Sequence, residues 1–260
     1  MKSSKKIIYT VGYTLFKQGN VLDLEKMFGT LKEYEIEFLI DVRSVPYSKQ
    51  YPQCNTDNMK SVCKEYGIRY IHMPELGAKA SSQQNVFSRA SEIFYEQSVF
   101  PMAKSYRPEK TELLACEEIV DFRKYRQDGK FLSGLNRIED AYTKGYQLCL
   151  MCSEKNPIDC HRYFLISKAI EQRFGEWLEI RHIVAEKNGE ICYISNTQLN
   201  KELEKFCEEK NILPTLFREE ILVNYCGNTE QEKLNDLCDR YWNLLHGWKR
   251  FNYNNTDNND

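Results

Sequence analysis

The amino-acid sequence predicts an α/β fold: a mainly parallel open sheet of about five strands with helices on both faces, an antiparallel hairpin edge and a helical C-terminal extension. Two observations lead to this prediction. Short apolar runs alternate with amphipathic helical stretches in residues 6–73 and again in residues 146–185, which is the pattern of βαβ units. The dipeptide Asn188-Gly189 lies between two apolar runs, as in a β-hairpin.

The individual elements follow from local composition. Runs of Ile, Val, Leu and Tyr predict strands, and apolar residues three or four positions apart predict helices. A type I′ turn at Asn188-Gly189 should pair residues 179–186 with residues 190–195. Strands are predicted at residues 6–12, 37–42, 69–73, 146–152 and 177–185, and helices at residues 20–34, 56–66, 160–174, 197–210 and 229–247.

The stretch between the third and fourth predicted strands departs from this alternation. It begins with a loop-like segment and continues with helices predicted at about residues 86–104, 112–127 and 131–144. The predicted organisation is therefore an α/β domain over residues 1–195 with a helical insertion at about 78–145, a helical C-terminal extension over residues 196–250, and a disordered, Asn/Asp-rich tail over residues 251–260.

Composition limits the classes of function. The formal net charge of −2 leaves no global basic surface, so nucleic acid is a possible partner only through a local patch. The first residues contain too short an apolar run for a secretory signal or a membrane span, and we expect no membrane partner. We therefore expect the ten cysteines to be reduced and the protein to be cytoplasmic.

The most informative segment is residues 148–162, Leu-Cys-Leu-Met-Cys-Ser-Glu-Lys-Asn-Pro-Ile-Asp-Cys-His-Arg. An apolar strand leads directly into thiols, a carboxylate, an imidazole and a guanidinium, and burying such groups unpaired costs several kcal/mol each. With Asp159 as N-cap, Cys160, His161 and Arg162 would occupy the first turn of a helix. Cations at this positive end of the helix dipole are unfavourable unless an anion binds among them.

Polar residues also follow the other predicted strands. In open α/β sheets ligands bind outside the carboxyl ends of the strands, so these residues predict a shared polar cleft. In chain order they are Gly12, Tyr13 and Thr14; Asp41, Arg43 and Ser44; Glu75; Cys152 and Glu154; and His182 on the fifth strand.

Several of these residues also have a structural interpretation. Asp41 and Arg43 share one face of a strand and could form a plain ion pair. His72 and His182 could each be a core histidine with satisfied hydrogen bonds.

The thiols also have interpretations other than a catalytic role. Cys149 and Cys152 form a Cys-x-x-Cys, but Cys149 lies inside the strand and is expected in the core, whereas a redox pair needs its first thiol at a helix N-terminus. Cys152, Cys160 and His161 could be zinc ligands, yet their spacing fits no standard finger and a fourth ligand would come from afar. From the sequence we assign no metal and no cofactor.

Five segments of the chain together resemble a known family. They are Tyr-Thr-Val-Gly-Tyr-Thr at 9–14, Leu-Ile-Asp-Val-Arg-Ser-Val-Pro at 39–46, Gly-Ile-Arg-Tyr-Ile-His-Met-Pro-Glu-Leu-Gly at 67–77, the segment at 150–162, and Arg-His-Ile at 181–183. In this order, over about residues 6–184, they resemble the proteins grouped as domain of unknown function 488. The resemblance implies a compact α/β domain with a shared polar cleft and implies no assigned reaction.

The chain departs from the family pattern at several positions. Tyr13 stands where the family usually has histidine, and Ser153 where it usually has alanine. A tyrosine at position 13 puts an acid–base role there in doubt, although its hydroxyl can still donate a hydrogen bond. Residues 78–115 are longer than the usual connection, and residues beyond 195 are an extension.

Our first functional hypothesis is an enzyme, a hydrolase or transferase, that acts on a small anionic, nucleotide-like ligand. Arg43 and Arg162 would clamp its phosphate or carboxylate. The chain lacks the phosphatase nucleophile loop, a Gly-x-Gly-x-x-Gly and a P-loop, so no motif defines the reaction. The catalytic candidates are Cys152 or Cys160 as nucleophile and Glu154, His161 or Asp41 as proton carriers, with Gly12, Tyr13, Thr14, Ser44, Glu75 and His182 completing the ligand site.

The second hypothesis is a non-catalytic sensor or nucleic-acid-processing accessory that binds a nucleotide or a strand end. Thiol reactivity separates the two, because an enzyme that uses a thiolate needs a reactive cysteine. At a helix start Cys160 should be more reactive than Cys152. The aromatic residues that could stack on bases are Tyr47, Tyr51, Tyr70 and Phe87, with Arg43, Lys49 and Lys64 near phosphate.

Overall fold

A computed structural model describes residues 6–80, 84–93, 118–209, 219 and 222–251. The chain divides into two compact units, which we name the sheet unit (residues 1–78 and 129–196) and the helical unit (residues 79–128 and 197–260). The predicted disordered tail, apart from its first residue, lies outside the described residues, as do most of the predicted helices between residues 94 and 117.

Strands and helices follow one another along the described chain. The strands are β1 (Lys6–Gly12), β2 (Lys17–Gln18), β3 (Val21–Leu22), β4 (Phe38–Asp41), β5 (Arg69–His72), β6 (Phe87–Arg89), β7 (Glu118–Val120), β8 (Leu148–Cys152), β9 (Leu178–Ala185) and β10 (Ile191–Ser195). The helices are α1 (Leu24–Glu33), α2 (Thr56–Glu65), α3 (Ala90–Ile93), α4 (Phe122–Tyr125), α5 (Gly129–Thr143), α6 (Lys168–Phe174), α7 (Asn196–Glu209) and α8 (Glu230–Phe251).

The sheet unit contains a six-stranded sheet in the order β10-β9-β1-β8-β4-β5. Every neighbouring pair is parallel except β9 and β10, which are antiparallel. The predicted α/β fold with an antiparallel hairpin edge is thereby confirmed.

Side-chain alternation along the strands explains why helices cover both faces. Tyr9 and Val11 of β1 join a buried cluster with Met27 and Phe28 of α1. The intervening Ile8 is also fully buried and therefore points to the opposite face. On that opposite face α5 packs over the apolar ends of β4 and β8 and lines an open pocket with them.

The hairpin at the sheet edge has the predicted strands but a different turn. Gly189 has a positive φ of 85°, whereas Asn188 does not, so the predicted type I′ turn is wrong. The amide of Gly189 donates to the carbonyl of Glu186 at 3.0 Å, and the amide of Glu186 donates to the carbonyl of Glu190 at 2.9 Å. The connection is therefore a three-residue loop in which only the glycine adopts the left-handed conformation.

The helical unit holds a two-stranded antiparallel sheet of β6 and β7. These residues were predicted to be helical, and that prediction is wrong at 87–89 and 118–120. Asn243 of α8 stabilises β7 and the following turn, because its side chain accepts from the Phe122 amide at 2.5 Å and donates to the Val120 carbonyl at 3.0 Å. In the part of the chain that the structure describes, the helices are all too short or too polar to cross a membrane.

The strand order creates a topological switch point at the carboxyl edge of the sheet. After β1 the chain passes through α1 to β4, which lies on the far side of β8 in the sheet. After β8 it passes through α6 to β9, which lies on the far side of β1, in the opposite direction along the sheet. The two connections leave in opposite directions, so the carboxyl ends of β1 and β8 form a topological switch point, the place where open α/β sheets bind their ligands.

Candidate functional site

The ends of β1, β4 and β8 meet in the sheet unit. Gly12 pairs with Cys152, and Asp41 pairs with Met151. The segment at 148–162 is therefore adjacent to the end of β4, as the shared-cleft hypothesis requires.

A thiol–carboxylate–imidazole cluster lies beyond the end of β8. Cys152 Sγ and Cys160 Sγ donate to the same oxygen, Glu154 Oε2, at 3.0 and 3.1 Å. His161 Nδ1 lies 3.5 Å from Cys152 Sγ and 3.9 Å from Cys160 Sγ. Both thiols and the imidazole are buried, and Glu154 is half-buried. The cluster brings together four of the five residues that the sequence predicted as catalytic.

Backbone carbonyls orient two members of this region. His161 Nε2 donates to the carbonyl oxygen of Val42, just past β4, at 2.9 Å. A carbonyl can only accept, so Nε2 carries a proton and the Nδ1 of a neutral ring presents its lone pair to the sulfurs. His72 Nε2 similarly donates to the Arg43 carbonyl at 2.8 Å.

Arg162 is a buried cation next to the cluster. Its side chain is fully buried, and its Nη1 and Nη2 donate to the carbonyls of Glu154 and Lys155 at 2.5 and 3.1 Å. Its Nε has no hydrogen-bond partner, and within the described residues no ion pair includes Arg162. Arg162 begins a π-helical turn (Arg162–Ser167), a form that often marks functional sites.

The loop after β1 packs tightly on the loop after β8. A Cβ at Gly12 would lie 1.7 Å from the Glu154 carbonyl oxygen and 2.8 Å from Arg162 Nη1, so only glycine fits. Thr14 binds the Ser153 carbonyl through its amide at 3.2 Å and its hydroxyl at 2.5 Å. Gly12 and Thr14 therefore shape the site rather than present free ligand-binding groups.

Asp41 and Arg43 form a buried ion pair, which was the structural alternative. Arg43 Nε and Nη2 donate to the Asp41 carboxylate at 2.9 and 2.5 Å, and the Tyr70 hydroxyl donates to it at 2.7 Å. Arg43 Nη2 also donates to the Cys54 carbonyl at 2.7 Å. Burial acts to lower the pKa of Arg43, but the hydrogen bond and charge of Asp41 raise it on balance.

These contacts correct two expectations. Asp41 is fully buried and its carboxylate is held by Arg43 and Tyr70, so it does not have the open position of a proton carrier. Neither arginine points into a solvent-filled cleft: Arg43 is 6% exposed and Arg162 is 0% exposed. The predicted two-arginine clamp is not formed, and of the two arginines only Arg162 lacks a counter-ion among the described residues.

Tyr13 and Ser44 lie beside the Asp41–Arg43 pair. The Tyr13 ring is buried, with the Arg43 guanidinium 5.3 Å from its centre. Burial raises the pKa of Tyr13, although Arg43 lowers it in part. Ser44 is half-buried and packs so closely on Gly77 that a Cβ there would lie 2.4 Å from the Ser44 hydroxyl oxygen.

Two predicted ligand residues lie away from the cluster. His182 is inside β9 rather than at its end, where the Thr10 hydroxyl donates to its Nδ1 at 2.7 Å and its Nε2 donates to the Asn196 side chain at 3.1 Å. Burial lowers the pKa of His182 to about 3, so it is a neutral core histidine. Glu75 forms an ion pair with Arg137 of α5.

The aromatic residues predicted to stack on bases are largely engaged within the protein. Tyr51 is buried and packs edge-to-face on Tyr13 with ring centres 6.1 Å apart. Tyr70 binds Asp41 through its hydroxyl, and burial raises its pKa. Tyr47 is 60% exposed, and Phe87 belongs to the helical unit.

Cys160 differs from its predicted position. Asp159 ends a 3₁₀ turn instead of capping the helix, and Cys160 is extended with φ −124° and ψ 142°. The helix begins only at His161, so Cys160 lies before its first turn instead of inside it. Burial raises the pKa of Cys160 well above its ordinary value, and the neighbouring Cys152 raises it further. The predicted position of Cys160 in the first helical turn is therefore wrong, and the helix-start argument for a Cys160 more reactive than Cys152 no longer holds.

Sequence reasoning missed two groups that organise the site. The Val42 carbonyl orients His161, and a backbone carbonyl leaves no signal in the residue pattern. Tyr70 holds Asp41 through its hydroxyl, and this contact depends on the pairing of β5 with β4, which the sequence did not predict.

The comparisons with known proteins give one finding. The family model described as Domain of unknown function DUF488 matches residues 23–99 and 101–169, which is more than half of the chain. No curated protein and no solved structure matches.

Proposed function

We propose that this chain, which belongs to the DUF488 family, binds a small anionic, nucleotide-like ligand at the carboxyl ends of β1 and β8 and acts on it. The observation that carries the proposal is the Arg162 guanidinium, a buried cation with an unpartnered Nε and no carboxylate within ion-pair distance among the described residues. Two carbonyls solvate this charge but do not neutralise it.

The cost of burying such a charge supports a bound anion. An uncompensated ion in a protein interior costs several kcal/mol, and arginine in particular suits phosphate and carboxylate because its planar fork donates two parallel hydrogen bonds. Lys155 and Asn156, in the loop that supplies carbonyl partners to Arg162, are exposed. We propose that an anion enters through this loop and replaces carbonyl contacts of the guanidinium.

The neighbouring groups support action on the ligand. Cys152, Cys160, Glu154 and His161 bring two sulfurs, a carboxylate and an imidazole within hydrogen-bond reach of one another. Such groups can activate a nucleophile or carry a proton in a hydrolase or transferase reaction. Reduced thiols need a reducing compartment, so a cytoplasmic location is part of the proposal.

Isothermal titration calorimetry with inorganic phosphate and with adenosine monophosphate tests the binding step. Arg162→Gln should weaken the affinity at least about tenfold, because it removes both the charge and the fork. Arg162→Lys should recover only part of it. Arg173→Gln, on the following helix with an exposed side chain paired to Glu139, is the matched control and should bind like the wild type.

Equal affinity of Arg162→Gln and the wild type, or no binding of either probe to the wild type, would overturn the proposal. If Arg162→Gln does not fold, the melting temperature of the wild type decides instead, since a ligand that binds only the native state raises it in proportion to its occupancy. Binding without turnover of any phosphoester or nucleotide tested would favour the second hypothesis, a non-catalytic nucleotide or nucleic-acid binder.

A further inference from the structure

Three potential metal ligands converge at the end of β8. The Sγ atoms of Cys152 and Cys160 and a ring nitrogen of His161 all lie within 4.8 Å of one another, and all three residues are buried. A tetrahedral zinc ion with ordinary bond lengths holds sulfur and nitrogen ligands about 3.6 Å apart. The distances from His161 Nδ1 to the two sulfurs, 3.5 and 3.9 Å, already match this spacing.

The second ring nitrogen of His161 supports the same interpretation. Ligating histidines almost always donate their other N–H to a carbonyl or carboxylate, which fixes the tautomer and the ring orientation. His161 Nε2 donates to the Val42 carbonyl at 2.9 Å. In the neutral ring this leaves the lone pair on Nδ1, the atom that faces the two sulfurs.

The type of ligand selects the type of metal. Thiolate and imidazole favour zinc over magnesium or calcium, which take oxygen ligands. Cys152 ends a fully buried strand, and His161 begins a helix, so their backbone positions are held by regular structure. Two of the three ligands are therefore held by regular structure, and the cluster has the donor set of a thiolate–imidazole metal centre.

We propose that Cys152, Cys160 and His161 bind one zinc ion, and that its fourth position is left to Glu154 or to the ligand. On binding, both S–H bonds break, both thiolates coordinate the ion, and two protons leave through Glu154, the acceptor of both thiol hydrogen bonds. Zinc and two thiolates are together neutral, so Arg162 remains available to an anion. The zinc would supply a Lewis acid to the reaction proposed above, and in this respect the inference rests on the proposed function. The metal itself can bind without the anion.

Metal content tests the proposal directly. Tag-free protein purified without chelator should contain about one zinc per chain by elemental analysis. Cys152→Ala and Cys160→Ala should each lose at least nine-tenths of it. Cys149→Ala is the matched control, because Cys149 is equally buried on the same strand but points to the opposite face, and it should retain the full content.

A second measurement covers variants that fail to fold. Wild-type protein stripped with a chelator and loaded with Co²⁺ should develop the visible absorption of tetrahedral thiolate-bound cobalt and release about two protons per ion. Three results would each overturn the zinc proposal. The first is a stripped protein that binds neither Co²⁺ nor Zn²⁺, and the second is Cys152→Ala protein that keeps the wild-type metal content. The third is a protein mass two hydrogens lighter, which indicates a Cys152–Cys160 disulfide. Arg162→Gln separates the two proposals, because it should lose anion affinity and keep the metal.

Discussion

His161 and Val42 are joined across two strand ends by a 2.9 Å hydrogen bond from the imidazole Nε2 to the backbone carbonyl oxygen. This bond connects the start of the helix after β8 with the loop after β4, and it turns the Nδ1 atom toward Cys152 and Cys160. The tautomer of the imidazole is thus set by a backbone group, which a substitution of the Val42 side chain would leave in place.

The first prediction concerns the close approach at Gly12. Gly12→Ala should destabilise the protein by about 3 kcal/mol or more, because the added methyl group would overlap the Glu154 carbonyl oxygen at 1.7 Å. Urea denaturation measures the change. Gly29→Ala on α1, where a Cβ meets no atom within 4 Å, is the control and should stabilise by up to about 1 kcal/mol. A loss for Gly12→Ala no larger than about 1 kcal/mol would contradict the tight packing of the two loops.

The second prediction concerns the buried Asp41–Arg43 pair. Arg43→Met should cost about 3–5 kcal/mol, because it leaves the Asp41 carboxylate buried without a counter-ion. The same change at Arg137, half-exposed and paired with Glu75, should cost less than about 1 kcal/mol. The double variant Asp41→Asn/Arg43→Met should recover part of the stability, and a strictly additive double variant would show that the two side chains do not interact.

The third prediction concerns the protonation of His182. Burial lowers its pKa from 6.5 to about 3. Between these two pH values the imidazole is therefore protonated in the unfolded chain and neutral in the folded chain. The contribution of the neutral His182 ring to the free energy of unfolding is fully present above pH 6.5. It is lost as the pH falls toward 3, at up to about 1.4 kcal/mol per pH unit. Nitrogen-detected NMR at pH 5 should find His182 neutral with its proton on Nε2, whereas a titration midpoint near the ordinary value would disprove its buried state.

The fourth prediction concerns thiol reactivity. In chelator-treated native protein, iodoacetamide at pH 8 should modify Cys226, which is exposed, and leave Cys160 unmodified, because burial raises its pKa and blocks the reagent. Peptide mass spectrometry measures both sites. In denaturant Cys160 should react as readily as Cys226. Modification of native Cys160 at a rate near that of Cys226 would restore the nucleophile role that the sequence suggested.

The elements of the sheet unit were predictable because they depend on local patterns. The apolar run at residues 6–12 is a strand with the predicted bounds, and the runs at 37–42 and 69–73 differ from β4 and β5 only at their ends. The position of Cys149 inside an apolar strand also placed it in the core correctly. The Asn188-Gly189 pair located the hairpin, but the turn type depends on the conformation of each residue, which the dipeptide alone does not determine.

The tertiary structure decided what the polar residues of the site do. The sequence placed Asp41, Arg43 and Arg162 at strand and helix ends, and only the packing showed that Asp41 neutralises Arg43 while Arg162 has no such partner among the described residues. The strand order, with β8 between β1 and β4, brings the segment at 148–162 onto both neighbours. The convergence of Cys152, Cys160 and His161 depends on the folded path of the loop between them, which is set by hydrogen bonds to the backbone carbonyls of Val42, Ser153 and Glu154. Such backbone groups are the same in every residue, so a sequence pattern cannot reveal them.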